Sequence, residues 1–193
     1  MHTLVFATNN HNKVKEIRAM LGDAFNIITL EEAGIDIDIP EPHDTLEENA
    51  REKSGVIFQM TQQDCFSEDT GLEINALDGA PGVISARYAG EQKSAADNIQ
   101  KVLAEMATQT DRSAQFRTVI SLIWKGQEHQ FEGICSGQIL PDLQGESGFG
   151  YDPIFVPDGA DRSFAMMDTA GKNQYSHRAK AVKKLIAWLQ ANA

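Results

Sequence analysis

The sequence predicts a mixed α/β fold, a mixed β-sheet flanked by helices. Three observations carry this. An apolar run, a polar loop and an amphipathic helix open the chain as a strand–loop–helix unit. Residues 115–124 and 128–140 are long apolar-rich stretches that meet at Lys125-Gly126, the signature of a tight hairpin. Helical patterns beginning near residues 13, 45, 94 and 176 are interleaved with the strands. Parallel units beside an antiparallel hairpin make the sheet mixed. The 193 residues are read as one domain, 1–193, since no repeat or low-complexity linker interrupts them.

Residues 3–7 read as a buried first strand. Thr8-Asn9-Asn10-His11-Asn12 then leads into a helix beginning near Lys13, with Val14, Ile17 and Leu21 on one face and Gly22 as its stop. Residues 25–30 read as a second strand. Residues 31–43 are an acidic connection with at most a short extended piece, stiffened around Glu41 by Pro40 and Pro42. Asp44 or Thr45 caps the next helix, whose apolar face is Leu46, Ala50, Ile57 and Met60. Residues 64–67 read as a strand that ends at Glu68-Asp69-Thr70-Gly71, after which Leu72, Ile74 and Ala76 resume extended structure. Ser94 opens a helix with Ile99, Val102, Leu103 and Met106 inside. Residues 157–171 read as a mobile connector, and Ser176 caps a last helix with Val182, Leu185, Ile186 and Leu189 buried.

Composition narrows the function. A formal net charge of -11 disfavours a general nucleic-acid or anionic-membrane binder, because repulsion opposes the encounter. A single phosphate-bearing small molecule remains compatible, since a few local lysines outweigh a distant field. Cys65 and Cys135 are too few and too far apart for a disulfide framework or a zinc site. The first residues carry only a brief apolar run, neither leader peptide nor membrane span, so a cytoplasmic protein is expected. Neither GxxxxGK[ST] nor GxGxxG occurs.

Four places could carry chemistry. Glu68-Asp69 beside Gly71 suits a hard cation or an activated water, or is a charged turn. The loop 8–12 aims helix-end amides and Lys13 at an anion, or is an Asn-capped helix start with a solvated lysine. Gly148-Phe149-Gly150-Tyr151-Asp152-Pro153 is an irregular turn with two exposed rings that stack a planar base, or a hairpin whose aromatics close the core. Lys172, His177 and Arg178 form a donor cluster beside a helix start. Glu41 reads as a preorganised ligand or a solvated loop carboxylate, and Lys53 as a snorkelling surface lysine.

Taken together, Thr8 to Lys13, SEDTGLEINALDGAPGVISARYAG (67–90), GFGYDPIF (148–155) and Ser176-His177-Arg178 resemble, in order and spacing, the inosine triphosphate pyrophosphatase family. The resemblance runs from Leu4 to Leu189. It implies a long curved mixed β-sheet flanked by helices, in two lobes around a central cleft, and Mg2+-assisted hydrolysis of dITP, ITP or XTP to the nucleoside monophosphate and pyrophosphate, usually by a homodimer. By the same resemblance, Asp69 is the proton acceptor, and Glu41 and Asp69 are the metal ligands. Thr8, Asn9, Asn10, His11, Asn12 and Lys13 form the triphosphate loop, with Lys53 and Thr70 nearby. Phe149, Gly150, Tyr151, Asp152, Lys172, His177 and Arg178 grip base and sugar. Three positions depart from the family: Asn9 and Ala179 where many members have glycine, and Thr70 where many have serine.

Overall fold

Alternation and apolar spacing place the elements close to where the sequence puts them. The computed structural model describes residues 2–21 and 25–192. Its strands are β1 (Thr3–Phe6), β2 (Asn26–Thr29), β3 (Cys65–Ile74), β4 (Pro81–Gly82), β5 (Ser113–Trp124), β6 (Gln127–Ile139) and β7 (Phe155–Pro157). The helices are α1 (His11–Leu21), α2 (Leu46–Thr61), α3 (Ala95–Glu105), α4 (Thr169–Tyr175) and α5 (His177–Asn192). Strand order is β2-β1-β3-β5-β6-β7, with β4 on β3. β1 runs parallel to β2 and β3, whereas β3–β4 and β6–β7 are antiparallel, so the sheet is mixed as expected. Lys125 and Gly126 both take positive φ, 49° and 80°, the geometry of a two-residue hairpin turn.

Two compact units divide the chain. The first draws on Met1–Asp69, Thr118–Gly133 and Arg178–Ala193, the second on Thr70–Arg117 and Ile134–His177. In the first unit the sheet is covered on both faces. Val14, Ile17 and Leu21 of α1 and Ala181, Val182, Leu185 and Leu189 of α5 pack with Leu4, Phe6 and Phe66. Ile57 of α2 packs instead with Val5, Ala7 and Cys65. The second unit has its own core of Leu72, Ile74, Ile99, Val102, Phe116, Ile154, Phe155 and Phe164.

Several expectations are corrected. β3 does not end at Glu68 but runs on to Ile74, because β4 supplies an antiparallel partner at Leu72↔Gly82 and Glu73↔Pro81. Residues 157–171 are not a mere connector: Phe164 is fully buried, and Asp168 caps α4 by accepting from the Gly171 amide. Met60 lies outside the apolar face of α2, at 55% exposure. α1 begins two residues before Lys13, and its expected stop, Gly22, lies outside the described residues. Among the described residues no helix is long and apolar enough to cross a membrane.

Candidate active site

Strand alternation decides what the two adjacent carboxylates can do. Successive side chains of a strand point to opposite faces, so Cys65, Ser67 and Asp69 share the face toward α2. Cys65 Sγ donates to the Ser54 carbonyl and Ser67 Oγ to the Ala50 carbonyl, while Asp69 Oδ1 accepts from Lys53 Nζ at 2.9 Å. Lys53 is not a snorkelling surface lysine: it is 7% exposed and also donates to Glu41 Oε1 at 2.6 Å. One buried ammonium thus joins Glu41, from the proline-flanked loop, to Asp69, from the middle of the sheet. Asp69 Oδ2 is buried and has no hydrogen-bond partner.

The two carboxylates titrate in opposite directions. Burial pushes Asp69 above the ordinary aspartate value; the Lys53 ammonium opposes this, the Glu41 charge adds to it, and burial wins. Burial acts on Glu41 too, but the charge and hydrogen bond of Lys53, with Lys13 and Asp69 adding to them, together hold that carboxyl below its ordinary value. A proton added to the pair therefore goes to Asp69, the less solvated member. Ion pairing overcomes desolvation at Lys53 and keeps it charged.

Glu68 faces the other way. Its carboxylate is clamped by Arg178, Nε to Oε2 at 2.8 Å and Nη2 to Oε1 at 2.9 Å, and pairs with Lys13 Nζ at 3.0 Å. Arg178, 1% exposed, also donates from Nη1 to Glu16 Oε2 at 2.5 Å. Burial alone would raise the Glu68 pKa, but Arg178 and Lys13 drive it far below the carboxylate range. Glu68 therefore belongs with Lys13 and Arg178, and Asp69 with Lys53 and Glu41. Arg178, expected at the base and sugar, has its guanidinium on Glu68 and Glu16.

In the loop 8–13, Asn10 is the cap of α1. Its Oδ1 accepts from the Asn12 amide at 3.0 Å and the Lys13 amide at 3.2 Å, and Thr8 Oγ1 accepts from the Asn10 amide. Two helix-end amides expected to face an anion thus hold the Asn10 side chain. Asn9 Nδ2 donates to the Ile37 carbonyl at 2.9 Å. His11 and Asn12 are exposed, Thr8 and Lys13 half-buried.

The second unit gathers a separate cluster. Lys172 Nζ donates to Asp152 Oδ2 at 2.7 Å and lies 4.8 Å over the Phe149 ring and 5.4 Å over the Phe164 ring. Asp152 Oδ2 also accepts from the Phe149 amide at 2.9 Å. Gly148 has φ +80°, and a Cβ there would sit 2.1 Å from Asp152 Oδ2, so this turn requires glycine. The expected pair of exposed rings is not found. Phe149 is half-buried, but Tyr151 is a core residue at 4% exposure whose hydroxyl donates to the Ser85 carbonyl. His177, 3% exposed, stacks on Phe116 with centroids 4.6 Å apart. Gly150 and Thr70 are half-buried.

The model of the Ham1 family matches residues 4–188. The chain belongs to the Ham1 family. A dITP/XTP pyrophosphatase of Flavobacterium johnsoniae is 49% identical over 97% of this chain and 98% of its own. One from Porphyromonas gingivalis is 48% identical over 98% of each. Among solved structures, the Staphylococcus aureus Ham1 protein matches 99% of this chain and 100% of its own at a TM-score of 0.90 and 38% identity. A HAM1 protein from Coxiella burnetii gives a TM-score of 0.91 at 36% identity, with 99% and 100% covered.

Within this Ham1-family chain, no group of three or more His, Cys, Asp and Glu side chains could hold a metal among the described residues. The residues present nevertheless fit a magnesium ion. That ion commonly takes one or two protein carboxylates and completes its shell with waters and substrate phosphates. Glu41 and Asp69 would supply the two, and the unpartnered Asp69 Oδ2 is the kind of buried acceptor that a cation satisfies. The sequence reading did not single out Glu16, Asn49 or Phe164. Asn49 left a signal, being a polar residue on the 46-50-53-57 stripe of α2; Glu16 looked like an ordinary charge one turn beyond Lys13.

Proposed function

We propose that this chain hydrolyses noncanonical purine nucleoside triphosphates (dITP, ITP and XTP) to the nucleoside monophosphate and pyrophosphate, removing deaminated nucleotides from the pool. The observation that carries the reading is the buried Glu41–Lys53–Asp69 cluster, with one Asp69 oxygen unpartnered. It lies in a chain that aligns almost end to end with proteins named dITP/XTP pyrophosphatase.

Asp69 is the proton acceptor for the water that attacks the α-phosphorus. Its raised proton affinity suits that task, since a base works best with a pKa drawn toward the working pH. Lys53 keeps Glu41 and Asp69 together as anions until substrate arrives. Glu41 and Asp69 would hold a magnesium ion, which when bound would neutralise phosphate charge and lower the pKa of the attacking water. Lys13, held by Glu68 beside the loop of Thr8 to Asn12, contributes positive charge toward the triphosphate. Arg178 acts through Glu68, whose position it fixes.

For the base, Phe149 offers a half-buried ring, and Lys172 and His177 offer donors suited to a 6-oxo group. The 6-amino group of adenine would leave such donors unpaired, the situation in which discrimination becomes large. Asp152 and Tyr151 serve by shaping the loop, through Lys172 and the Ser85 carbonyl respectively. The family resemblance alone supports a homodimer.

The test is pyrophosphate release from ITP, dITP, XTP, GTP, ATP and dUTP at equal concentration with magnesium. Turnover of the first three well above the others, abolished by EDTA and restored by magnesium, is expected. Preference for dUTP would overturn the base assignment, and turnover of none would make the chain a binding protein rather than an enzyme.

A further inference from the structure

Glu41 sits on a stretch that has no ladder to hold it. Residues 35–42 form no strand. They are extended all the same: Ile35, Ile37 and Ile39 alternate with the exposed Asp36, Asp38 and Pro40, and the three isoleucines pack on the cluster of Val5, Ala7, Leu30 and Ile57. Glu41 continues the same alternation and so points inward with them. Hydrophobic packing fixes which side faces in, but it is non-directional and does not fix where along the strand axis a carboxylate lands.

Two side-chain amides supply that fix, one on each side of Glu41. Asn49, fully buried on α2, accepts from the His43 amide at 2.9 Å and donates to the His43 carbonyl at 3.1 Å. It thus pairs with both backbone groups of one residue, as a neighbouring strand would. Asn49 lies on the same helix as Lys53, one turn before it, so the helix that presents the ammonium also sets the register of the loop presenting its partner. On the other side, Asn9 Nδ2 donates to the Ile37 carbonyl, tying the loop to residues leading into α1. Pro40 and Pro42 stiffen the span between the two ties.

We propose that Asn49, assisted by Asn9, is a positioning residue that presets Glu41 against Asp69 for the cation the pair would hold. The inference rests on the reading of Glu41 and Asp69 as that cation's ligands. Asn49 is the stronger tie, with two hydrogen bonds and no exposure, against one bond on an exposed side chain for Asn9. Its removal also leaves the buried side of α2 facing unpaired backbone groups of the half-buried His43.

The experiment titrates Mn2+, without nucleotide, into wild type, Asn49→Ala, Asn9→Ala and Glu41→Gln by isothermal calorimetry. Melting temperature, KM for ITP and amide exchange at His43 are measured alongside. Asn49→Ala is expected to weaken Mn2+ binding about tenfold, equivalent to about 1.4 kcal/mol, with faster His43 exchange and an ITP KM within about twofold of wild type. Asn9→Ala, which removes an exposed side chain and leaves folding intact, is expected to weaken Mn2+ binding about two- to threefold. A lowered melting temperature with unchanged Mn2+ affinity in both folded variants makes the amides merely structural and overturns the proposal. If Glu41→Gln weakens Mn2+ binding while neither asparagine variant does, the metal reading stands and the positioning role falls. If Glu41→Gln leaves Mn2+ affinity unchanged, the metal reading itself fails and takes the proposal with it.

Discussion

Asp69 owes its character to its neighbours rather than to its place in a motif. An aspartate on a fully covered sheet is costly to ionise, and Glu41 beside it raises the cost, while Lys53 only partly offsets both. Its folded pKa is therefore raised, so as pH falls it takes up a proton earlier than an ordinary aspartate. Protonated Asp69 can neither accept a proton from water nor serve as an anionic ligand. In the metal-free protein the Asp69 carboxyl, followed by NMR, is thus expected to titrate above the ordinary aspartate value. Titration at or below that value would remove the raised proton affinity on which its role as base rests. Asp69→Asn, which keeps the shape and the contact with Lys53, is expected to lower kcat by about 10²–10⁴-fold while circular dichroism stays that of wild type.

β3 brings the site together because it refuses to end where its charges suggest. Glu68 and Asp69 sit mid-strand, one per face, and β4 keeps the ladder running past them. Gly71 permits that pairing: a Cβ there would sit 2.7 Å from the Gly82 carbonyl oxygen, backbone that cannot swing aside. Gly71→Ala is expected to cost about 1–3 kcal/mol in urea unfolding and to lower kcat by displacing the strand two residues from Asp69. Stability equal to wild type would mean that β4 yields without consequence. The sequence made most of this level legible. Repeating apolar positions located α1, α2, α3, α5 and the β5–β6 hairpin, since burial on one face imposes a period on composition. It misread residues 157–171, because a helix as short as α4 shows no full apolar period and its Asp168 cap resembles a turn. It also left Glu68 undecided, and its local pattern read Lys53 as a surface lysine. Whether a charged side chain is solvated or paired depends on partners up to 110 residues away, which no local pattern encodes.

On the scale of the whole molecule, the Glu68–Arg178 pair joins the first and last chain segments of one unit across those 110 residues. Because Arg178 and Lys13 hold its folded pKa far below the unfolded value, Glu68 contributes stability that is present above the ordinary glutamate range and lost as pH falls below it. The bulk charge complicates a simple acid melt. At a formal net charge of -11, mild acidification also relieves self-repulsion and raises stability for unrelated reasons. Comparing wild type with Glu68→Gln at each pH cancels that common effect. At pH 7 the variant is expected to be less stable by about 3–5 kcal/mol, the usual consequence of removing one partner from a buried ion pair. At pH 3 the gap should narrow, because only wild type retains a carboxylate to protonate on unfolding. Urea titrations at the two pH values measure both gaps. A gap that stays constant would show that the pair does not govern the proton affinity of Glu68, and that Arg178 holds the unit together by packing alone.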